Sequence, residues 1–279
     1  MRRNQTFWIV TFTLLLISCK KDYPGDHHTP PPAPDPVRKV LLKDITIPHL
    51  PSPYYHFEYN SDSLPVKASF GSGYTNYDIL YSGNIISEMR NNIIVNHDTL
   101  RYIYDNSGKI ALIKFINQSN VVYRHAFFTY NGNQVTEIEW DHKEGNAGFL
   151  IDRTMKFTYY ADGNVKVITE HRPAVSGSPE YNSTLELSQY DDKVNVDDFS
   201  LIHDGIHDHL FLLQGFRLQR NNHRKEVFSA GPGNTAYVVD YTYTYKSDGT
   251  PLSKSGSLLF TAGADSGKRF GVSTAYSYY

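Results

Sequence analysis

Aromatic residues recur at every second position along this chain and then give way to a short run of Asn, Asp, Ser and Gly. In Tyr241-Thr242-Tyr243-Thr244-Tyr245 one face of an extended strand is all tyrosine and the other all threonine. That alternation predicts a strand with one buried and one wetter face. The turn residues that follow supply the positive-φ positions of a tight reversal, so each copy of the phrase predicts one β-hairpin. The clearest copy is Tyr102-Ile103-Tyr104-Asp105-Asn106-Ser107-Gly108. Others begin at Phe128, Phe157 and Tyr243, with weaker copies at Phe57, Leu80, Tyr190 and Phe216.

The residues before the turns are Tyr59, Tyr81, Tyr104, Tyr130, Tyr159, Tyr190, Leu218 and Tyr245, spaced 22 to 31 apart. A period of roughly 20 to 50 residues marks a repeat architecture. The predicted fold is all-β: an antiparallel meander of about eight hairpins, or sixteen strands, in one domain that is strongly curled or barrel-like. Closure would remove the exposed edges of so long a sheet. The plainer reading is an ordinary all-β domain whose hairpins share turn chemistry without true repetition.

The N-terminal pattern is different. Arg2 and Arg3 precede an apolar run from Phe7 to Ile17 that is too short for a stable transmembrane helix. It ends in Leu16-Ile17-Ser18-Cys19, which resembles a bacterial lipobox, and Cys19 is the chain's one cysteine. Residues 1–18 therefore read as a lipoprotein signal peptide. Cys19 reads as the lipidation site, anchoring the protein to a membrane without spanning it. Six of the fourteen prolines fall between Pro24 and Pro36. Residues 19–37 thus form the lipidated Cys and a semi-rigid spacer, and 38–279 the all-β domain.

Composition supports this picture, with 22 tyrosines and 15 phenylalanines against two tryptophans and three methionines. The net charge of −2 leaves no basic stripe for phosphates, which argues against nucleic acid as a partner. An integral outer-membrane barrel is the competing idea, prompted by the aromatic ending Tyr278-Tyr279. Polar residues such as Glu58, Lys156, Thr242 and Thr244 are unsuited to a lipid-facing wall.

The Tyr-Asp-x-x-Gly phrase is similar to the YD repeats of Rhs-type shell proteins. The lipobox, the polar linker, the hairpins, Tyr190-Asp191-Asp192-Lys193-Val194-Asn195, Arg220-Asn221-Asn222 and Tyr241–Tyr245 together more closely resemble a family of small Bacteroidetes lipoproteins. That family's domain is of unknown function and described as porin-like in fold. The resemblance covers most of residues 50 to 279. It implies a porin-like β fold and a cell-envelope, outer-membrane location, and it supplies no catalytic residue.

Candidate chemistry is sparse. His203, His207 and His209 form the densest ligand-like cluster and could hold a divalent metal. A polar loop before the apolar Leu210–Leu213 run is the competing account. Asp265-Ser266-Gly267 lacks the partners a serine nucleophile needs. Glu137 with Glu139, and Asp197 with Asp198, read as surface acids, although paired carboxylates also serve glycosidases. No cofactor is expected. The expected function is that of a non-enzymatic, lipid-anchored envelope protein with a structural or binding role. Its partners would be the membrane, through Cys19, and a glycan or another envelope protein. A glycan-binding module using exposed tyrosines and a metal-assisted hydrolase are the alternatives.

Overall fold

The computed structural model describes residues 40–93, 97–145, 148–174, 178–202, 217–231 and 235–279. Sixteen strands follow one another. They are β1 (Leu42–Thr46), β2 (Tyr55–Tyr59), β3 (Pro65–Phe70), β4 (Thr75–Ser82), β5 (Ile85–Asn91), β6 (Thr99–Tyr104), β7 (Ile110–Ile116) and β8 (Val122–Asn131), then β9 (Gln134–Lys143), β10 (Phe149–Tyr159), β11 (Val165–Arg172), β12 (Tyr181–Ser188), β13 (Lys225–Ala230), β14 (Thr235–Tyr245), β15 (Pro251–Ala262) and β16 (Arg269–Tyr278). Each pairs antiparallel with its neighbour in sequence, and β1 pairs with β16 to close a barrel. The strand count and the meander agree with the sequence expectation.

Six of the eight predicted turns join hairpins at one end of the barrel, called here the turn end. These are the turns after Tyr59, Tyr81, Tyr104, Tyr130, Tyr159 and Tyr245. All six share one irregularity: the register shifts beside the tyrosine, as between Ile103 and Tyr104 or Thr158 and Tyr159. Such bulges increase local twist, which a closing sheet needs. Gly108, Gly163 and Gly249 take positive φ of 81°, 89° and 82° as the last residue of matching four-residue turns. Each donates its N–H to the carbonyl three residues earlier at 3.0 Å.

The two poorer copies, at Tyr190 and Leu218, instead form the two arms of the long β12–β13 connection. The arms pair with each other through a bridge between Val194 and Asn221. Asp191 N–H donates to the Asn222 carbonyl at 3.0 Å. Nearly the same turn residues thus build a different structure where the two arms meet only after a long excursion.

The tyrosines carry a bond that hairpin chemistry alone does not predict. In five cases a tyrosine of the pattern donates its hydroxyl to a carbonyl just past the turn of the preceding hairpin, whereas Tyr245 donates to the Asp191 carboxylate. Tyr81 reaches Pro65, Tyr104 reaches Ile86, Tyr130 reaches Ile110, Tyr159 reaches Val135 and Tyr190 reaches Val165, all at 2.7–2.9 Å. Those five acceptor residues are the strand partners of the previous hairpin's tyrosine. Tyr278 to Pro251 at 2.5 Å and Tyr59 to Leu42 at 2.9 Å continue the ring across the closure. Burial pushes the Tyr59, Tyr81 and Tyr104 phenols up to about 12, so they remain donors at any ordinary pH.

Side chains divide cleanly between the two faces. Inward positions include Phe57, Ala68, Tyr77, Ile79, Met89, Leu100, Ile113, Phe115, Ala126, Ile138, Trp140 and Phe157, all buried. Many outward positions are charged, and in places their signs alternate across the sheet. The register partners Glu58, Lys67, Asp78 and Arg90 form one such row, whereas in the row that starts with Glu88 and Arg101 the like-charged Lys114 follows Arg101 before His125 and Asp141. Opposite charges directly across a sheet attract weakly, at roughly 0.2–1 kcal/mol per pair.

Candidate functional site

A closed sheet of this strand number is wide enough for an aqueous channel. Here one end of the interior is entered by the described arms of the β12–β13 connection, residues 189–202 and 217–224. Its buried residues Leu218 and Ile202 join the core, with Val196 and Leu201 packed against it. Asp197 lies close enough to Tyr55 on β2, Tyr243 on β14 and Tyr276 on β16 to disfavour their ionisation. Asp198 does the same to Tyr159 on β10. The connection therefore sits among inward side chains from widely separated strands, as a plug at the turn end.

Polar groups hold the plug. Asn164, fully buried in the β10–β11 turn, accepts the N–H groups of Arg220 and Asn221 at 2.8 and 3.0 Å. Asp198 accepts those of Leu218 and Gln219 at 2.6 and 2.7 Å. Burial raises its pKa to about 7, against the pull of those two bonds and of Arg217. Burial likewise raises Asp197, which accepts the Tyr276 hydroxyl at 3.4 Å while its Oδ1 has no hydrogen-bond partner. The surface-acid reading of Asp197 and Asp198 is therefore corrected. Both residues are part-buried and turn their carboxyls into the plug, because the segment enters the barrel.

Next to them His223 Nδ1 lies 2.6 Å from Gln219 Oε1, and Nε2 lies 2.9 Å from Glu226 Oε1. Tyr241 donates to the other Glu226 oxygen at 3.0 Å. Burial lowers the His223 pKa, and the Glu226 bond works against it. A carboxylate that orients an imidazole is half of a nucleophile-activating relay. Here the second nitrogen meets a carboxamide, not a hydroxyl or thiol, and the ring is 2% exposed. The arrangement locks the plug and reaches no substrate. Lys254 stacks on the same tyrosine, with Nζ 4.1 Å from the Tyr241 ring centroid. Gly256 makes room for that ring, since a Cβ there would lie 2.7 Å from Tyr241 Cδ1 and from the Asp240 carbonyl.

The opposite end of the interior, the mouth, is built differently. Inward residues of β8 to β11 make ion pairs there. A bulge between Ile151 and Arg153 aims Asp152 inward, 3.3 Å from Arg124 and 3.2 Å from His142. Arg153 lies flat on Trp140, 4.5 Å from the ring centroid, and bonds Glu170 at 3.0 Å. Arg172 bonds the same Glu170 oxygen at 2.5 Å and lies over the Tyr181 ring of β12. From β13 to β16 the mouth changes character: Phe228 stacks on Tyr237 at 4.8 Å, Tyr237 meets Phe260 at 6.0 Å, and Phe260 meets Phe270 at 5.9 Å. Sequence reading missed this belt, because each strand contributes one or two residues and no local motif announces them. The alternation along β14 and β15 was the available signal.

The other sequence candidates are scattered. Cys19 and the cluster His203, His207 and His209 lie outside the described residues. Among the described residues no three metal-ligating side chains converge. Glu137 and Glu139 face outward on β9, with Lys156 3.3 Å from Glu137. Burial and the two neighbouring acids, Glu137 and Asp141, raise the Glu139 pKa. Ser266 sits in a surface turn, donating to the Thr261 carbonyl at 3.3 Å.

No family model matches the chain, and no curated protein matches it. Solved structures of similar fold include two from Bacteroides. A porin-like protein from Bacteroides uniformis ATCC 8492 aligns over 81% of this chain and 89% of its own, with TM-score 0.56 and 13% identity. A porin-like protein from Bacteroides vulgatus ATCC 8482 aligns over 86% and 99%, with TM-score 0.56 and 14% identity. The likeness is one of fold.

Proposed function

We propose that this protein is a non-enzymatic barrel of the bacterial cell envelope, held at the outer membrane by lipid on Cys19 and standing in water beside the bilayer. One observation carries the reading: on β2–β7 the outward face bears charges on every strand while the inward face is largely apolar. A membrane-spanning barrel has the reverse pattern, and Arg or Lys on its lipid-facing midplane costs roughly 2–4 kcal/mol each. Glu58, Lys67, Asp78, Arg90, Arg101 and Lys114 would all incur such a cost. The similar proteins being porin-like supports the envelope location without requiring insertion. A binding role is favoured over catalysis because the His223–Glu226 pair is sealed in the plug and the His142–Asp152 pair at the mouth shares its carboxylate with Arg124.

Fractionation of cells tests the proposal. Wild type is expected in the membrane fraction, released only by detergent. The Cys19→Ala variant is expected in the soluble fraction without detergent. Retention in the membrane, until detergent is added, of a second variant lacking the whole of residues 1–19 would show that the barrel itself inserts.

A further inference from the structure

The mouth belt has two halves of opposite chemistry joined at one residue. Along β13–β16 four rings line the inner wall in mutual contact, and three of the four are phenylalanine. Phe270 is half exposed, and Phe228, Tyr237 and Phe260 are part-buried. Apolar rings left facing the interior cost free energy unless something apolar covers them. At the edge of this shelf stands Arg172, over Tyr181. Its partner Glu170 is shared with Arg153, so one carboxylate serves two guanidiniums. Arg153 is the sealed member, with its side chain 3% exposed, whereas that of Arg172 is 40% exposed.

The tyrosine-rich end of the interior has no comparable vacancy, since its hydroxyls are committed to the turn carbonyls and the plug occupies the space. The mouth therefore offers the interior's exposed apolar surface, and it ends at an exposed cation.

We propose that the mouth binds a straight-chain carboxylate: the acyl chain lies along Phe228, Tyr237, Phe260 and Phe270, and the carboxylate pairs with Arg172. Phenylalanine has no polar atom with which to meet a sugar's hydroxyls, so the shelf suits a hydrocarbon better than a glycan. A planar guanidinium at the edge of the shelf suits a carboxylate, which it can meet with two parallel bonds.

Calorimetric titration of the full chain carrying Cys19→Ala, so that no attached lipid competes, tests this with three probes. Dodecanoate is expected to saturate one site. Dodecanol, which lacks the charge, and glucuronate, which lacks the chain, are expected to bind at least about tenfold more weakly. Arg172→Gln should bring dodecanoate down to the dodecanol level. Phe260→Ser should weaken it by about tenfold or more, the loss expected from removing one half-buried ring contact. Phe270→Ser, at a half-exposed position that the fold does not need, serves in place of Phe260→Ser if the latter does not fold. The proposal is overturned if dodecanoate does not bind, if it binds wild type and the variants equally, or if glucuronate binds as tightly as dodecanoate.

Discussion

The two ends of the barrel solve the problem of a wide interior in opposite ways. At the turn end the same device repeats around the ring: a tyrosine, a bulge, a tight turn, and a hydroxyl reaching back to the previous hairpin. Neighbouring hairpins are thereby bonded twice, once by the sheet ladder and once by the phenol. The described arms of the β12–β13 connection enter what remains. At the mouth no device repeats. Ion pairs crowd β8–β11, aromatic rings line β13–β16, and Phe270 stays half exposed. Stability is concentrated at one end, and the other is left with surface that the fold does not itself use. This is the usual division between a scaffold and the place where a ligand sits.

The sharpest way to break that comparison is to loosen the plug. Asp198→Ala leaves the N–H groups of Leu218 and Gln219 without their acceptor, and both residues are buried. Two buried donors lost together cost about 3 kcal/mol, or roughly 6–12 °C in melting temperature for a domain of this size. A thermal melt checks it, and a shift under about 2 °C would mean that the plug does not hold the turn end.

The same residue makes the turn end sensitive to pH. Its folded pKa of about 7 lies above the ordinary value of 3.8. Its contribution to stability is therefore fully present below about pH 4 and is lost as pH rises through 7. Asp197, also raised, acts in the same direction. His223, whose pKa is lowered, acts in the opposite direction: its contribution is present above the ordinary value of 6.5 and is lost as pH falls below it. The difference between wild type and Asp198→Ala isolates the term. The destabilisation caused by the substitution should be larger at pH 5 than at pH 8, and equal effects at both would place Asp198 in a solvated setting.

A smaller effect tests the tyrosine ring. Tyr130→Phe removes one hydroxyl and leaves the carbonyl of the fully buried Ile110 without that donor. The expected loss is about 1 kcal/mol. The matching change at Tyr104, whose hydroxyl reaches Ile86, should cost about the same, because the geometry repeats. Chemical denaturation of the two variants, singly and together, would show whether the ring acts as independent bonds.

How much of this could be read in the sequence follows the same division. The turn end was legible because its information is local. Tyr-x-Tyr followed by Asp-x-x-Gly fixes the face, the turn and the register within about ten residues, and six such turns stand where the pattern put them. The hydroxyl bonds were not legible, since each crosses from one hairpin to another. Tyr190 and Leu218 misled for a related reason: they carry turn-like sequence, yet their partners lie on opposite arms of one connection. The acids at 197 and 198 were read as surface because nothing local says that a polar segment enters a barrel. The mouth was least legible of all. Arg153, Glu170, Arg172, Phe228, Tyr237, Phe260 and Phe270 come from six strands, and only the cross-strand register from β10 to β16 makes them neighbours.

Phe270→Ser tests the other half of the comparison. The ring is half exposed and meets Phe260 edge-on, 5.9 Å between centroids, at the edge of the shelf. Replacing it removes little buried area, so the stability change should stay within about 0.5 kcal/mol, well under the cost at Tyr130. At the turn end an aromatic ring is a structural part; at the mouth it is exposed apolar area held in place by strands that are stable without it. A stability loss as large as that of Tyr130→Phe would show that the mouth rings, too, belong to the scaffold, and the contrast between the two ends would disappear. A neutral result leaves the mouth rings as surface that the fold carries and does not need, which is the condition for a binding wall to vary while the barrel stays intact.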